Sequence, residues 1–306
     1  MIIGFFRSMA MHPETQSRSG RGRPLRVVVV LTVTALLAAA CSGTSGSGGA
    51  PTTTSGAQAT TTTAVALKPL QQPSTRCGPP DTRATLLRFK AADGTVLDGV
   101  IVGRGTTGVV LVHEYPADLC GFWPFADYLG KRGMVALDID LRCFGLSACP
   151  EGDAKGRVID DVAAAVAELR HRGVTSVALV GASMGGSAVL IAGTRVRPPV
   201  DTVVELSGEV DPTNLVGGIP LDAGTAVRRL AVPTMFVVAT NDRYAPVDET
   251  RAMYQAARTR DKRLEVLSGQ FDGLHGWELL NSAGGSGFTP VAAKVASFIA
   301  ANTRGQ

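Results

Sequence analysis

From about residue 80 the chain alternates between two hydrophobic periods. Thr82–Lys90 and Thr95–Val102 read as short extended runs meeting at Asp93-Gly94, a good hairpin turn. Gly108–His113 (GVVLVH) and Met134–Ile139 (MVALDI) are continuous apolar runs, as expected of strands covered on both faces of a parallel sheet. Between them Phe122–Arg132 reads as helical. A longer helix is predicted over about Asp153–Arg172, where Val158, Val162, Ala165, Val166 and Leu169 recur at helical spacing. Ser176–Val180 is a further strand, followed by a glycine-rich turn and a helix to about Arg195. Strands at Thr202–Leu206, Thr234–Ala239 and Arg263–Leu267 then alternate with helices at Val247–Arg258 and Pro290–Ala301, the last with proline early in its first turn. A hairpin followed by regular strand–helix alternation predicts an α/β fold: one doubly wound, mainly parallel sheet, with a small insertion near residues 208–230. In such sheets ligands bind at the carboxyl ends of the strands, so the loops that follow each strand are the places to look.

The first forty residues follow neither period. Arg7, Arg18, Arg21, Arg23 and Arg26 precede Val27–Ala40, which is uncharged and mostly apolar. Fourteen helical residues rise about 21 Å, short of the roughly 30 Å hydrocarbon core of a bilayer. A basic region, a short apolar region and small residues ahead of a cleavage point predict an export signal over residues 1–40. Leu37-Ala38-Ala39-Ala40-Cys41-Ser42 resembles a bacterial lipobox, although Ala38 stands where that motif usually has leucine. The resemblance implies that Cys41 carries a thioether-linked diacylglycerol as the mature N-terminus, anchoring the chain to the extracytoplasmic face of the cell membrane. An ordinary secretory signal and an uncleaved anchor are the alternatives. Residues 42–67 contain no charge and are dominated by Ser, Thr, Gly and Ala, which predicts a flexible tether over residues 41–79 ahead of a folded domain at 80–306.

Composition narrows the picture further. The 306 residues are 45% hydrophobic, enough for a sizeable core, which excludes wholesale disorder, collagen and a small disulfide-only scaffold. The formal charge of +4 resides entirely in the signal, where five arginines face only Glu14. The remainder is balanced, so no nucleic-acid partner is predicted. Nothing in the sequence speaks to oligomeric state. Cys77, Cys120, Cys143 and Cys149 remain in a chain expected to be exported, and an even number there predicts two disulfides with three connectivities open. Cys143 and Cys149 share one loop and could close it, which would leave Cys77 to staple the domain edge to Cys120. No metal-ligand spacing accompanies them.

The strongest chemical signal is Gly181-Ala182-Ser183-Met184-Gly185-Gly186, directly after a predicted strand and opening a predicted helix. It fits G-x-S-x-G in its required context and makes Ser183 a candidate nucleophile. No Gly-Lys-Ser/Thr follows, so it is not a phosphate-binding loop. A serine hydroxyl needs a base. Of four histidines, His12 lies in the signal, His171 near the end of a long helix, and His113 at the end of a central strand. His275, in Asp272-Gly273-Leu274-His275-Gly276 after the last strand, is left as the candidate base. Asp242, opening the loop after Ala239, is the candidate acid, with Asp248 and Asp211 as competitors. Two backbone N–H groups are candidate oxyanion donors, those of Met184 and Tyr115. Glu114, in His113-Glu114-Tyr115-Pro116, is either a structural anchor or a group that tunes the nucleophile.

These motifs, over residues about 84–302, resemble the α/β-hydrolase fold family, and His113-Glu114-Tyr115 with the short insertion is similar to its dienelactone-hydrolase-like and small-cap esterase members. There the elbow carries cysteine in dienelactone hydrolases; here Ser183 replaces it, while Glu114 matches their glutamate. The resemblance implies a serine hydrolase that cleaves a small-molecule carboxylic ester through an acyl-enzyme, with the triad Ser183, Asp242 and His275 and no cofactor or metal. The apolar residues of the insertion, Pro212, Leu215, Val216, Ile219, Pro220 and Leu221, are enough to rim a pocket but few for a deep lid, so short or medium acyl chains are expected. A catalytically idle scaffold used for binding at the surface is the alternative outside enzymes. A peptidase or acyltransferase with the same triad is the alternative within them.

Overall fold

A computed structural model describes residues 67–78, 82–282 and 287–303. The signal predicted over residues 1–40, the predicted lipid attachment at Cys41 and most of the predicted tether lie outside the described residues.

Eight strands form one sheet in the order β1-β2-β4-β3-β5-β6-β7-β8. They are β1 Thr85–Lys90, β2 Val96–Val102, β3 Thr107–Val112, β4 Val135–Ile139, β5 Ser176–Ala182, β6 Thr202–Leu206, β7 Thr234–Ala239 and β8 Lys262–Leu267. Strand β2 runs antiparallel to both of its neighbours, and every pairing from β4 to β8 is parallel. The helices are α1 Pro73–Arg76, α2 Trp123–Gly130, α3 Val158–His171, α4 Met184–Arg195, α5 Ala223–Ala226, α6 Val247–Ala256 and α7 Pro290–Asn302.

The period-two rule of a strand accounts for the layering. In β3, Val110 and Val112 enter the core shared with α3, α4, α5 and α6, while Val109 and Leu111 enter the core shared with α2 and α7. The same division runs through β5, with Val177 and Leu179 on one side and Ala178, Val180 and Ala182 on the other. Both faces are therefore covered, which is why these strands read as unbroken apolar runs. Burying a side chain of this size contributes about 1.5–3 kcal/mol, so the central strands carry much of the stability.

Two boundaries differ most from the sequence pattern. The long helix begins at Val158 rather than near Asp153. The preceding Gly152–Gly156 forms a 3₁₀ turn that starts on Gly152 at φ 61, and a side chain on Gly156 would crowd Pro220. The tether, read as ending at residue 79, also gives way earlier. Residues 67–78 are fastened to the domain, because the uncharged stretch ends at Lys68 and is followed by Arg76 and Cys77. Arg76 bridges Asp118 at 2.8 Å, Asp140 at 2.8 Å and Asp98 at 3.5 Å, and Lys68 donates to the Gly145 carbonyl at 2.8 Å. Two disulfides are present, Cys77–Cys120 and Cys143–Cys149.

Candidate active site

Strand β5 ends in a turn that only small neighbours permit. Ser183 sits at φ 50, ψ −119, a left-handed conformation that a non-glycine residue adopts only when its surroundings enforce it. A side chain on Gly181 would overlap the Gly185 backbone, and one on Gly185 would overlap the Val112 and His113 carbonyl oxygens of the neighbouring strand end. The glycines of the motif are therefore steric requirements of the elbow. Helix α4 starts at the next residue, so its positive N-terminal end lies against the Ser183 backbone.

Two further strand ends leave through strained residues, Ser207 at φ 53 after β6 and Asn241 at φ 60 after β7. The second sets up Asp242. Its Oδ1 accepts from the Tyr244 N–H at 3.0 Å and the Ala245 N–H at 3.1 Å. Both carboxylate oxygens also face His275 Nδ1, Oδ1 at 3.0 Å and Oδ2 at 2.9 Å. Burial alone would raise the Asp242 pKa, but the bond and charge of His275 and the two N–H bonds outweigh it and hold the pKa below the ordinary value. Burial alone would lower the His275 pKa. The Asp242 bond and charge, with Glu114 and Glu209 behind, win and raise it. His275 is itself held from its main chain, since its N–H donates to Glu278 Oε2 at 3.0 Å at the head of a 3₁₀ turn, Gly276–Leu279.

The structure thus brings Asp242 and His275 into direct contact, and it places Ser183 elsewhere in hydrogen-bonding terms. The Ser183 hydroxyl donates to Glu209 Oε1 at 3.2 Å, and among the described residues no Ser183–His275 hydrogen bond is formed. Glu209 is a residue that sequence reasoning passed over. It lies in the insertion after β6, where a carboxylate looks solvated, yet it is only 6% exposed. The position directly beyond a strand's carboxyl end, after Ser207-Gly208, was the available signal.

Glu114 does not contact Ser183 through a hydrogen bond. Its carboxylate lies against Gly276, where a side chain could not fit, and beside the Trp277 N–H. Burial pushes its pKa up to about 7 against the opposing charge of His275. Its carboxylate thus packs against the histidine loop. Among the described residues the N–H groups of Met184 and Tyr115 donate to no other protein group, and Met184 is the first residue of α4, where no intrahelical acceptor exists.

The competing residues are accounted for. His113 is fully buried; its Nε2 accepts from the Leu141 N–H at 3.1 Å and its Nδ1 donates to the Glu114 carbonyl at 2.8 Å, a fixed neutral tautomer whose pKa burial lowers. His171 is exposed in the last turn of α3, Asp248 lies in the first turn of α6, and Asp211 is exposed beside Thr213. Phe122 and Trp123 belong to the core, and Trp277 packs on Phe122 with ring centroids 6.0 Å apart. Tyr115 and Tyr244 stay exposed, the latter with its ring 5.0 Å from that of His275. A cavity of about 440 Å³, lined by Phe271, Leu274, Trp277 and Phe288 among others, borders the histidine loop without including Ser183. Among the described residues no group of His, Cys, Asp and Glu side chains is arranged to hold a metal ion.

Comparison with known proteins agrees with this architecture. Residues 106–222 match the family described as Serine aminopeptidase, S33, a span that contains Ser183 but stops before Asp242 and His275. No curated protein matches the sequence. Among solved structures the chain is similar to the esterase Pf2001 of Pyrococcus furiosus, with TM-score 0.60, 15% identity, and coverage of 76% of this chain and 96% of that one. It is also similar to a dienelactone hydrolase of Anabaena variabilis, with TM-score 0.56, 19% identity, and coverage of 72% and 99%. A third is the monoacylglycerol lipase of Paleococcus ferrophilus, with TM-score 0.54, 16% identity, and coverage of 68% and 99%. Sheet order, elbow and these similar structures together show the α/β-hydrolase fold.

Proposed function

We propose that the chain is a serine hydrolase that cleaves carboxylic esters of short or medium acyl chains through an acyl-enzyme. The observation that carries this reading is the two-oxygen contact of Asp242 with His275 Nδ1, at 2.9 and 3.0 Å, at the same rim of the sheet as a serine strained to φ 50. Ser183 Oγ attacks the ester carbonyl while His275 Nε2 takes its proton, and Asp242 stabilises the imidazolium. The Met184 and Tyr115 N–H groups receive the oxyanion. Collapse expels the alcohol, which takes the proton back from His275. Water, deprotonated by His275, then attacks the acyl-enzyme, and the acid leaves as Ser183 Oγ takes that proton back from His275.

Support for short or medium acyl chains comes from the insertion. Val216 and Leu221 are committed to the core, and Leu215 is left exposed at the edge. Support for export and for attachment through a lipid on Cys41 comes from residues 7–42 of the sequence.

A p-nitrophenyl ester series from acetate to palmitate, run with wild type and Ser183→Ala, tests the reading. Loss of about 10⁴–10⁶-fold in turnover is expected for the variant. Wild-type activity in Ser183→Ala overturns the assignment, and peak activity on palmitate overturns the chain-length part. Amides and lactones belong in the same panel, because the matching family is described as an aminopeptidase. Metabolic labelling with an alkyne fatty acid tests the anchor: Cys41→Ala should lose the label and leave the membrane fraction.

A further inference from the structure

The Ser183 hydroxyl has one proton, and in this structure that proton goes to Glu209 rather than to His275. The contact is built rather than incidental. The Glu209 carbonyl accepts from Ser187 Oγ of α4 at 2.8 Å, which pins its backbone to the helix behind the elbow. Gly208 lets the loop touch that helix, since a side chain there would come within 3.0 Å of the Gly186 and Ser187 backbone. The loop leaves β6 through Ser207 in a left-handed conformation, φ 53, whose cost the surrounding packing must cover. Glu209 Oε2 has no protein hydrogen-bond partner, so Oε1 alone makes the side-chain contact. Backbone strain, close approach and the Ser187 tether converge on one contact, and that contact is with the nucleophile.

Resting on the serine-hydrolase reading above, we infer that Glu209 is a positioning residue that parks the resting nucleophile: its carboxylate holds the Ser183 hydroxyl off His275, and the hydrogen bond must pass from Glu209 to His275 before attack. No bond to carbon forms or breaks in this step; a single O–H changes acceptor. The hold is weak enough to release, because 3.2 Å is well beyond the roughly 2.5–2.7 Å of a strong bond to a carboxylate. The charged groups around Glu209 are Glu205 from β6, Glu114 after β3, Asp242 after β7 and His275 after β8. Of these only His275 can be a cation. Burial raises the Glu209 pKa; its own backbone N–H, His275 and Ser183 oppose that rise, and Asp242 reinforces it. Glu209 therefore acts in two separable ways, by contact with Ser183 and by its charge beside His275.

The rate at which a small fluorophosphonate labels Ser183 in the full chain, measured from about pH 5 to about pH 9, separates them. Glu209→Asp keeps the charge and withdraws the oxygen by one methylene. Its plateau rate should rise about two- to tenfold, the worth of one net hydrogen bond, with the acidic limb unmoved. Glu209→Gln keeps the shape and removes the charge, so its acidic limb should move to lower pH and its plateau should also rise. A plateau that falls or stays within about twofold of wild type in folded Glu209→Asp, as judged by its thermal melt, overturns the proposal. If shortening unfolds the loop, the isosteric Glu209→Gln decides by the same two readouts. Absence of labelling in wild type would defeat the hydrolase reading itself, and the proposal with it; labelling with unaltered variants defeats the proposal alone.

Discussion

His275 Nδ1 faces both oxygens of Asp242, at 2.9 and 3.0 Å, and the same carboxylate also accepts two backbone N–H bonds from Tyr244 and Ala245. The acid is thereby fixed from its own loop before it fixes the imidazole. His275 must be neutral to act as a base, and its pKa lies above the ordinary histidine value because the Asp242 bond and charge outweigh burial. The acidic limb of kcat/KM should therefore fall at higher pH than for a free imidazole. In Asp242→Asn the limb should move to lower pH, and the rate should drop about 10⁴-fold as the tautomer is lost. The stability side has the same sign: the His275 contribution is present at low pH and is lost as pH rises through its raised pKa. A pH–rate profile of both proteins checks this.

Gly185 separates the elbow from the Val112 and His113 carbonyls. Gly185→Ala has to displace the backbone of β3 or of α4, both in the centre of the sheet. It should destabilise the domain by about 3 kcal/mol, which in a chain of this size lowers the melting temperature by about 6–12 °C. Gly173→Ala, at a position where nothing lies within 4 Å of the added carbon but φ is 88, should cost less. Thermal melts of the two variants give the comparison.

The two disulfides close loops of very different size, with sequence separations of 43 for Cys77–Cys120 and 6 for Cys143–Cys149. Chain entropy puts their stabilisation at about 4 and about 2 kcal/mol. Serine pairs at each bridge should therefore lower the denaturation midpoint in that order, measured in urea.

Arg142 and Asp161 are both fully buried and joined by bonds of 2.6–3.0 Å, with Arg142 Nη1 reaching on to Asp93 at 2.7 Å and the Ala154 carbonyl at 2.6 Å. This cluster ties the end of β4 to α3 and to the hairpin turn. Arg142→Met leaves Asp161 buried without its counterion and should cost about 3–5 kcal/mol. Replacing both partners with apolar residues should cost less than that, and a double-mutant cycle measures the difference.

Strands and helices were legible in the sequence where burial dictates period. The unbroken apolar run Val109–Val112 and the helical spacing of Val158 through Leu169 declare their elements without outside help. The elbow was legible because its glycines answer a steric demand set within a few residues. Arg76 was not, since its worth depends on Asp98, Asp118 and Asp140 arriving from three distant places. Nor was Glu209. A glutamate in a loop reads as solvated until the turn through Ser207 and Gly208 folds it under the elbow, and that turn depends on packing against α4. Local pattern reports periodicity and steric need; a buried charge is decided by what the rest of the chain brings to it.

The Cys77–Cys120 bridge also determines where mechanical load enters the domain. Tension applied upstream of residue 67 passes through Cys77 to the turn at Leu119–Gly121 and bypasses Thr85, the first residue of the outermost strand. A pull arriving at Thr85 would peel β1 from β2 rung by rung, the weakest way to load a sheet edge. Riveting the chain ahead of that strand puts the force onto covalent bonds, and after reduction of the bridge only the noncovalent ties of Lys68 and Arg76 would stand between the pull and the ladder.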